Sequence, residues 1–365
     1  MTLRKTAINL LREMVEIPSI SGEEENIASL LREKMTGLSY SVSVDSVGNV
    51  IGQIGEGSPH ILLCGHMDTV LGALPVTLED EVLTGRGSVD AKGPLASFIV
   101  GSKQAINDGF RGSLTVVGAV DEEGRNRGVK ELIKQNLGVD YAIFGEPTNV
   151  HTLTLGYKGG VLFKIEVRTE TGHSSAPWMF TNAIEAGMDL FREIKAATST
   201  LTEETEGFNA LTCTIRKIQG GGNFGMVPGE CELVIGFRVP PSVETKEIIR
   251  IVGDNIENYV SDKVSVEHTV IDRVEPYQAD SKSLLVKAFS RAIYSKTREK
   301  VTLVRKSGTG DMNYYGSYTG IPCVTYGPGS PHLDHTDEEH ILIDDYLNSI
   351  EIVKQALLNL GKIHP

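Results

Sequence analysis

The sequence predicts an α/β fold with a mixed, mostly parallel sheet, interrupted by an inserted ferredoxin-like βαββαβ domain. Three observations carry this expectation. The chain has 365 residues, too many for one small core. Short apolar runs alternate with helical stretches in its first and last thirds. The middle third instead carries strands that alternate strictly between apolar and polar residues.

The first segment sets Leu3, Ala7, Leu10, Leu11 and Met14 on one helical face, and Pro18 stops it. Ser21 reads as the N-cap of the next helix, with Glu24 three positions on and Ile27, Leu30, Leu31 and Met35 as its buried stripe. The apolar run from His60 to Cys64 is too short for a helix and fits a buried strand. Leu114 to Val120 and Tyr141 to Phe144 read the same way, with a helix near Leu95 to Asn107. From Val161 the pattern changes, since Val161, Phe163, Ile165 and Val167 mark a strand with one wet face. A helix from Asn182 to Ala197 follows, then strands Ala210 to Ile218 and Cys231 to Val239. A helix from Val243 to Val260 and a strand from Val264 to Ile271 complete βαββαβ. After Asp272 the first pattern resumes with helix Ser281 to Tyr294, strand Pro322 to Tyr326 and helix Asp344 to Leu360. The expected domains are therefore residues 1–156 with 273–365, and an insert of residues 157–272.

Hydrophobic residues make up 40% and charged residues 23%, and the net charge is −13. So acidic a surface repels phosphate backbones and anionic lipid, which argues against nucleic-acid or membrane partners. Met1 to Leu11, with Arg4 and Lys5, lacks the unbroken apolar core of a secretory signal. No stretch approaches the ~18 apolar residues that span a bilayer. Cys64, Cys213, Cys231 and Cys323 are widely spaced and read as reduced, mostly buried thiols of a cytoplasmic protein.

Ligands of α/β sheets bind beyond the carboxyl ends of the strands, and here those positions are rich in acids and histidines. His66 and Asp68 follow the first strand, Asp121-Glu122-Glu123 the second, and Glu146-Pro147 the third. His332, Asp334 and His335 follow the last, and Asp90 lies in the loop Gly87 to Gly93. Taken singly, each has a plainer reading: a hydrogen-bonded surface histidine, a helix cap, a solvated acidic loop, a turn, a polar surface stretch. Those plainer readings are independent of one another, whereas one two-ion site explains all five. Zinc takes imidazole nitrogen and carboxylate oxygen. A pair of ions needs a bridging carboxylate, terminal ligands on each side and a free carboxylate as base. An adjacent Glu-Glu pair supplies a ligand and a base, because neighbouring side chains at a strand end diverge. Asp68, two residues after His66, can orient the imidazole.

These residues resemble the zinc aminoacylase and carboxypeptidase family of metallopeptidases, which includes acetylornithine deacetylase and succinyl-diaminopimelate desuccinylase. The motifs are Gly65-His66-Met67-Asp68-Thr69-Val70, Gly85 to Gly93, Asp121-Glu122-Glu123-Gly124, Gly145-Glu146-Pro147-Thr148 and His335-Thr336-Asp337-Glu338, and the likeness spans nearly the whole chain. The resemblance implies a di-zinc exopeptidase-like catalytic domain and a dimerisation (lid) insert. It implies two Zn2+ per subunit, replaceable by Co2+, with His66 and Glu146 on one ion, Glu123 and His335 on the other, and Asp90 bridging. Glu122 would be the general base, Asp68 would tune His66, and the Asp90–Ala91 peptide would be cis. His332 and His340 would be surface residues.

In the insert, Gly172-His173-Ser174-Ser175-Ala176-Pro177 resembles the motif whose histidine reaches the partner subunit's site and stabilises the oxyanion. Arg238 resembles the family's clamp on the substrate carboxylate, while Asn223 and the loop Ser307-Gly308-Thr309-Gly310-Asp311 fall where that carboxylate end binds. Within the family, Val15 to Ser19 and Gly156-Tyr157-Lys158-Gly159 look most like the hydrolase that releases lysine, sometimes ornithine, from the terminal glutamate of a small acidic amino-group carrier protein. An enzyme at −13 needs a locally basic face for such a partner, and Arg125, Arg127 and Lys130, with Arg305 and Lys306, are its candidates. The alternatives are a small-molecule N-acyl amino acid deacylase or dipeptidase, and a non-catalytic metal-binding protein of the same fold.

Overall fold

The structure is a computed structural model and describes residues 3–364, so Met1 and Thr2 of the expected N-terminal segment, and Pro365, lie outside it. The chain forms two compact units. Of the described residues, one comprises 3–156, 279–305 and 310–364, the other 157–278 and 306–309. The chain returns from the insert later than the expected 272/273 boundary, and Lys306–Thr309 visits the second unit again.

In the larger unit the central sheet runs Ser41–Val44, Val50–Glu56, Gly112–Ala119, His60–His66, Tyr141–Gly145, Cys323–Thr325, Thr152–Tyr157. Four neighbours, Gly112–Ala119, His60–His66, Tyr141–Gly145 and Cys323–Thr325, are parallel. Val50–Glu56 and Thr152–Tyr157 flank them antiparallel. Register aligns the carboxyl ends: His66 lies beside Ala119, and Gly65 beside both Gly118 and Gly145. The segments that follow these strands therefore leave from one edge. The helix Lys92–Asn107 packs on this sheet so closely that a Cβ on Gly145 would lie 2.9 Å from the Phe98 ring. Only glycine tolerates that approach. Leu95, Phe98 and Ile99 of the helix are fully buried, each stabilising the fold by roughly 1.5–3 kcal/mol relative to exposure.

Several elements depart from the sequence reading, among them the strands Ser41–Val44, Val50–Glu56 and Thr152–Tyr157, which it did not give. Ser21 does not cap its helix; the helix is Glu25–Gly37, preceded by Glu24 with no side-chain cap, and the Ser21 hydroxyl donates instead to Asp68 at 2.7 Å. A small antiparallel sheet of Thr77–Glu79, Val82–Thr84 and His340–Leu342 was not foreseen. Its three-residue strands are too short to show a period of two. The short helices Arg127–Gln135 and Asp311–Thr319 were likewise unforeseen.

The second unit is a four-stranded antiparallel sheet in the order Thr212–Gly220, Glu230–Val239, Gly159–Thr169, Val264–Val274. Helices Ala183–Ser199 and Thr245–Tyr259 complete βαββαβ. Val161, Phe163, Ile165 and Val167 face a core with Leu190, Ile194, Ile248 and Val252. Asn182 is the N-cap of the first helix, its side-chain oxygen accepting from the Ile184 amide at 2.9 Å. The last strand outruns the expected Ile271 because the register shifts between Val270 and Asp272. A bulge there breaks the alternation from which the strand was read. The four cysteines are free and buried. Among the described residues no helix is long and apolar enough to cross a membrane.

Phe98→Ala is expected to lower stability by about 3–5 kcal/mol, read as the shift in a denaturant-unfolding midpoint; a change below 1 kcal/mol would contradict the packing described.

Candidate active site

Five segments meet at the carboxyl edge of the larger unit's sheet. His66 ends its strand with the imidazole 1% exposed; Asp90 sits in the loop before the buried helix, 8% exposed. His66 Nε2 lies 3.1 Å from Asp90 Oδ1 and 4.0 Å from Glu146 Oε1. His335 Nε2 lies 3.0 Å from Asp90 Oδ2 and 2.7 Å from Glu123 Oε1. Asp90 thus directs one oxygen to each imidazole. Among the described residues, ligand atoms of His66, Asp90 and Glu123 all lie within 4.8 Å of one another. The Asp90–Ala91 peptide is cis, and His335 has φ +60°. A non-glycine residue rarely adopts such a φ, and the loop holds it there against a local cost.

Asp68 lies at the centre of the arrangement, beside the His66 ring and under the glutamate backbone. The group nearest His66 Nδ1 is the Asp68 carbonyl oxygen at 3.0 Å; the carboxylate is 3.5 Å away. That carboxylate also accepts the Glu122 and Glu123 amides, at 3.1 Å each, and the Ser21 hydroxyl. It therefore fixes the backbone from which both glutamates project.

The electrostatics explain what the site can hold. Asp90, Glu122, Glu123 and Glu146 face only two imidazoles, so acids outnumber bases in the set. Burial, reinforced by the Glu146 charge, raises the Glu122 carboxyl well above its usual range. Burial and the Asp90 charge raise Glu123. Asp90 is buried too, but its bonds from His335 and His66 outweigh burial and hold it low. The bond to Asp90, with the Glu123 charge, raises His335 to about 9. Burial alone would lower His66, yet Asp68 and Asp90 raise it well above its ordinary value. An excess of oxygen donors around two imidazoles is the inventory a pair of divalent cations requires, and the residues fit that group.

Asp311, read from the sequence as part of a substrate-carboxylate loop, belongs instead to this edge. It is 5% exposed, it begins the helix Asp311–Thr319, and Asn126 Nδ2 donates to it at 3.2 Å. Burial raises its carboxyl to about 7; another acid here repels a carboxylate. Two members of the expected basic rim are engaged internally. Arg127 pairs with Asp121 at 2.7 Å, and Lys130 donates to the Arg125 carbonyl at 2.8 Å and lies over the Tyr314 ring. His332 is exposed and His340 joins the small sheet.

The remaining candidates belong to the second unit. His173 is exposed, and its Nδ1 accepts the Ser175 amide at 3.1 Å. In the neutral ring that bond places the proton on Nε2, which becomes an outward donor. The Asn223 carboxamide accepts the Gly225 amide at 2.9 Å, and Gly225 in turn accepts from the Ser174 amide, so Asn223 shapes the loop that backs His173. Arg238 approaches Thr309, 3.5 Å from its hydroxyl, in a cavity of ≈ 330 Å³ that Arg216 also lines. Gly308 adjoins Thr309 in the same unit. Arg216 was missed because it occupies the bulge between Ile215 and Lys217, out of phase with its strand.

This fold and cluster together define a metal-dependent hydrolase of amide bonds. The chain belongs to peptidase family M20/M25/M40, which its residues 62–359 match. It is 31% identical over 364 residues to the LysW-lysine hydrolase of Deinococcus radiodurans, covering 98% of this chain and 97% of that one. It is 30% identical to the LysW-lysine/LysW-ornithine hydrolase of Sulfurisphaera tokodaii, covering 95% and 96%. Its fold is similar to that of aminopeptidase PepT from Bacillus cereus, with a TM-score of 0.83 at 20% identity over 98% of both chains. A dinuclear metal-binding M20 peptidase from Bacillus subtilis superposes with a TM-score of 0.73 at 16% identity over 99% of both.

Asp68→Asn leaves one acceptor oxygen where two now hold the glutamate amides. It is expected to cut turnover of an amide substrate by roughly 10–100-fold, measured as kcat; an unchanged kcat would contradict the role assigned to Asp68.

Proposed function

We propose that this chain releases lysine, ornithine or both from the C-terminal glutamate of an amino-group carrier protein such as LysW, using two divalent cations, zinc or cobalt. The observation that carries the reading is Asp90, whose two oxygens point to two different imidazoles, each with its own glutamate. His66 and Glu146 would hold one cation and Glu123 and His335 the other, with Asp90 between them. When bound, the pair supplies Lewis acidity to the scissile carbonyl.

Glu122 takes a proton from the attacking water and passes it to the leaving amine. Its burial among other acids suits it to that exchange, because a raised carboxyl takes a proton from water more readily than an ordinary glutamate does. His173, with its Nε2 proton outward, donates to the developing oxyanion. Arg238 and the Gly308-Thr309 turn receive the carboxylate of the amino acid released. Names of relatives at 30% and 31% identity over nearly their whole length support the carrier-linked substrate. With Arg127 and Lys130 engaged internally, Arg125 is the residue of the 125–130 group left to meet an acidic carrier. That thinning of the rim favours, as second reading, a small-molecule N-acyl amino acid deacylase.

The active form is a cytoplasmic homodimer. Trp178, Met179 and Phe224 of the second unit are 81%, 67% and 103% exposed, and Thr212–Gly220 is an open sheet edge. Apolar groups left this exposed mark an association surface.

Glu122→Gln keeps the side chain's shape and removes the base, so turnover is expected to be lost with cation content unchanged; loss of the cations instead would exchange the roles of Glu122 and Glu123. Arg125→Glu is expected to weaken cleavage of carrier-linked lysine while sparing acetylornithine, and equal effects would favour the second reading. Phe224→Glu is expected to shift the protein towards monomer in light scattering; an unchanged dimer would remove that patch from the interface.

A further inference from the structure

Glu339 is a carboxylate with no part in the cluster, yet it is fully buried, 0% exposed. It sits where the small antiparallel sheet places it: Val82–Thr84 pairs with His340–Leu342, and the pairing continues as the Gly85 amide donates to the Glu339 carbonyl at 3.2 Å. From there Oε1 accepts the amides of Val89 and Asp90, at 3.0 and 3.1 Å. Oε2 accepts Arg86 Nη1 at 2.9 Å. The same Nη1 also donates to the carbonyl of Thr336, the residue after His335, at 2.9 Å. Arg86 Nε donates to the Gly72 carbonyl, which fixes the guanidinium in its plane.

We propose that Glu339 and Arg86 form a brace that positions Asp90 against His335. The proposal rests on the two-cation reading of the site. Asp90 and His335 lie on loops far apart in sequence and both must hold position within roughly 0.5 Å to share a cation pair. One loop is tied through the amide of Asp90 itself and the other through the carbonyl next to His335. Both ties end on one buried ion pair. Glu339 bonds the backbone amide of Asp90 and not its carboxylate, and Arg86 the carbonyl beside His335, so each acts only through the ligands it holds, as outer partners of metal ligands do. A buried pair is a costly way to gain stability, because desolvation of both charges offsets most of their attraction. The hydrogen bonds to residues 89, 90 and 336 account for the pair in a way that stability alone does not.

The test is Co2+ titration of the apo full-length protein, read by the visible absorption of bound cobalt and by calorimetry. Glu339→Gln keeps the side chain's length, but its single carbonyl oxygen cannot serve both the two amides and the Arg86 fork. Uptake of at least one cation is expected to weaken roughly tenfold, with a shifted cobalt band, in protein whose circular dichroism matches wild type. A Glu339→Gln protein that melts earlier but titrates and absorbs as wild type does would overturn the brace and leave the site's reading intact. Wild type that takes up no cobalt would overturn both. Should Glu339→Gln not fold, Arg86→Lys decides: it keeps the charge but not the fork that reaches Thr336. The brace requires weakened uptake and a shifted band there too, and wild-type behaviour would overturn it.

Discussion

An excess of carboxylates at one buried edge is the constraint around which the larger unit is built. Asp90, Glu122, Glu123 and Glu146 share a confined space with two imidazoles. At an effective dielectric of about 20, like charges 4 Å apart repel by about 4 kcal/mol. The surroundings answer that repulsion with rigidity. Asp68 ties down the Glu122-Glu123 backbone from below, Glu339 ties down Asp90, and parallel strands in common register bring the segments to the edge together. Burial raises the Glu122 and Glu123 carboxyls, with neighbouring acids adding to it, while bonds and charges from acids raise the His66 and His335 rings.

The four parallel strands and their buried helix were legible in the sequence because short apolar runs bounded by turn residues survive in a single chain. The ligand-type residues were legible because acids and histidines recur just beyond strand ends, and coincidence across five segments outweighs the plain reading of each. Elements of three residues, such as Thr77–Glu79 and His340–Leu342, carry no period to detect. That loss matters, since this small sheet is what carries Glu339 under Asp90. The bulges at Arg216 and Ile271 defeat a period-of-two reading in the same way, by shifting side chains to the other face.

Ser21 and Asp68 show a subtler limit. Ser21 has the residue type and spacing of a helix cap, and Asp68 the spacing of an imidazole partner. In the fold Ser21 bonds to Asp68, and Asp68, beside the His66 ring, takes the glutamate backbone as well. Local pattern identifies what a side chain could bond, while the tertiary neighbours decide which bond it makes. Asp311 was misplaced for a related reason: its glycine-rich loop divides between the two units, with Thr309 on one side and Asp311 on the other.

The most direct measurement is anomalous diffraction from crystals grown with cobalt. Two peaks per chain are expected, one among His66, Asp90 and Glu146 and the other among Asp90, Glu123 and His335. A single peak, or peaks away from Asp90, would contradict the claim that this carboxylate joins two cation sites.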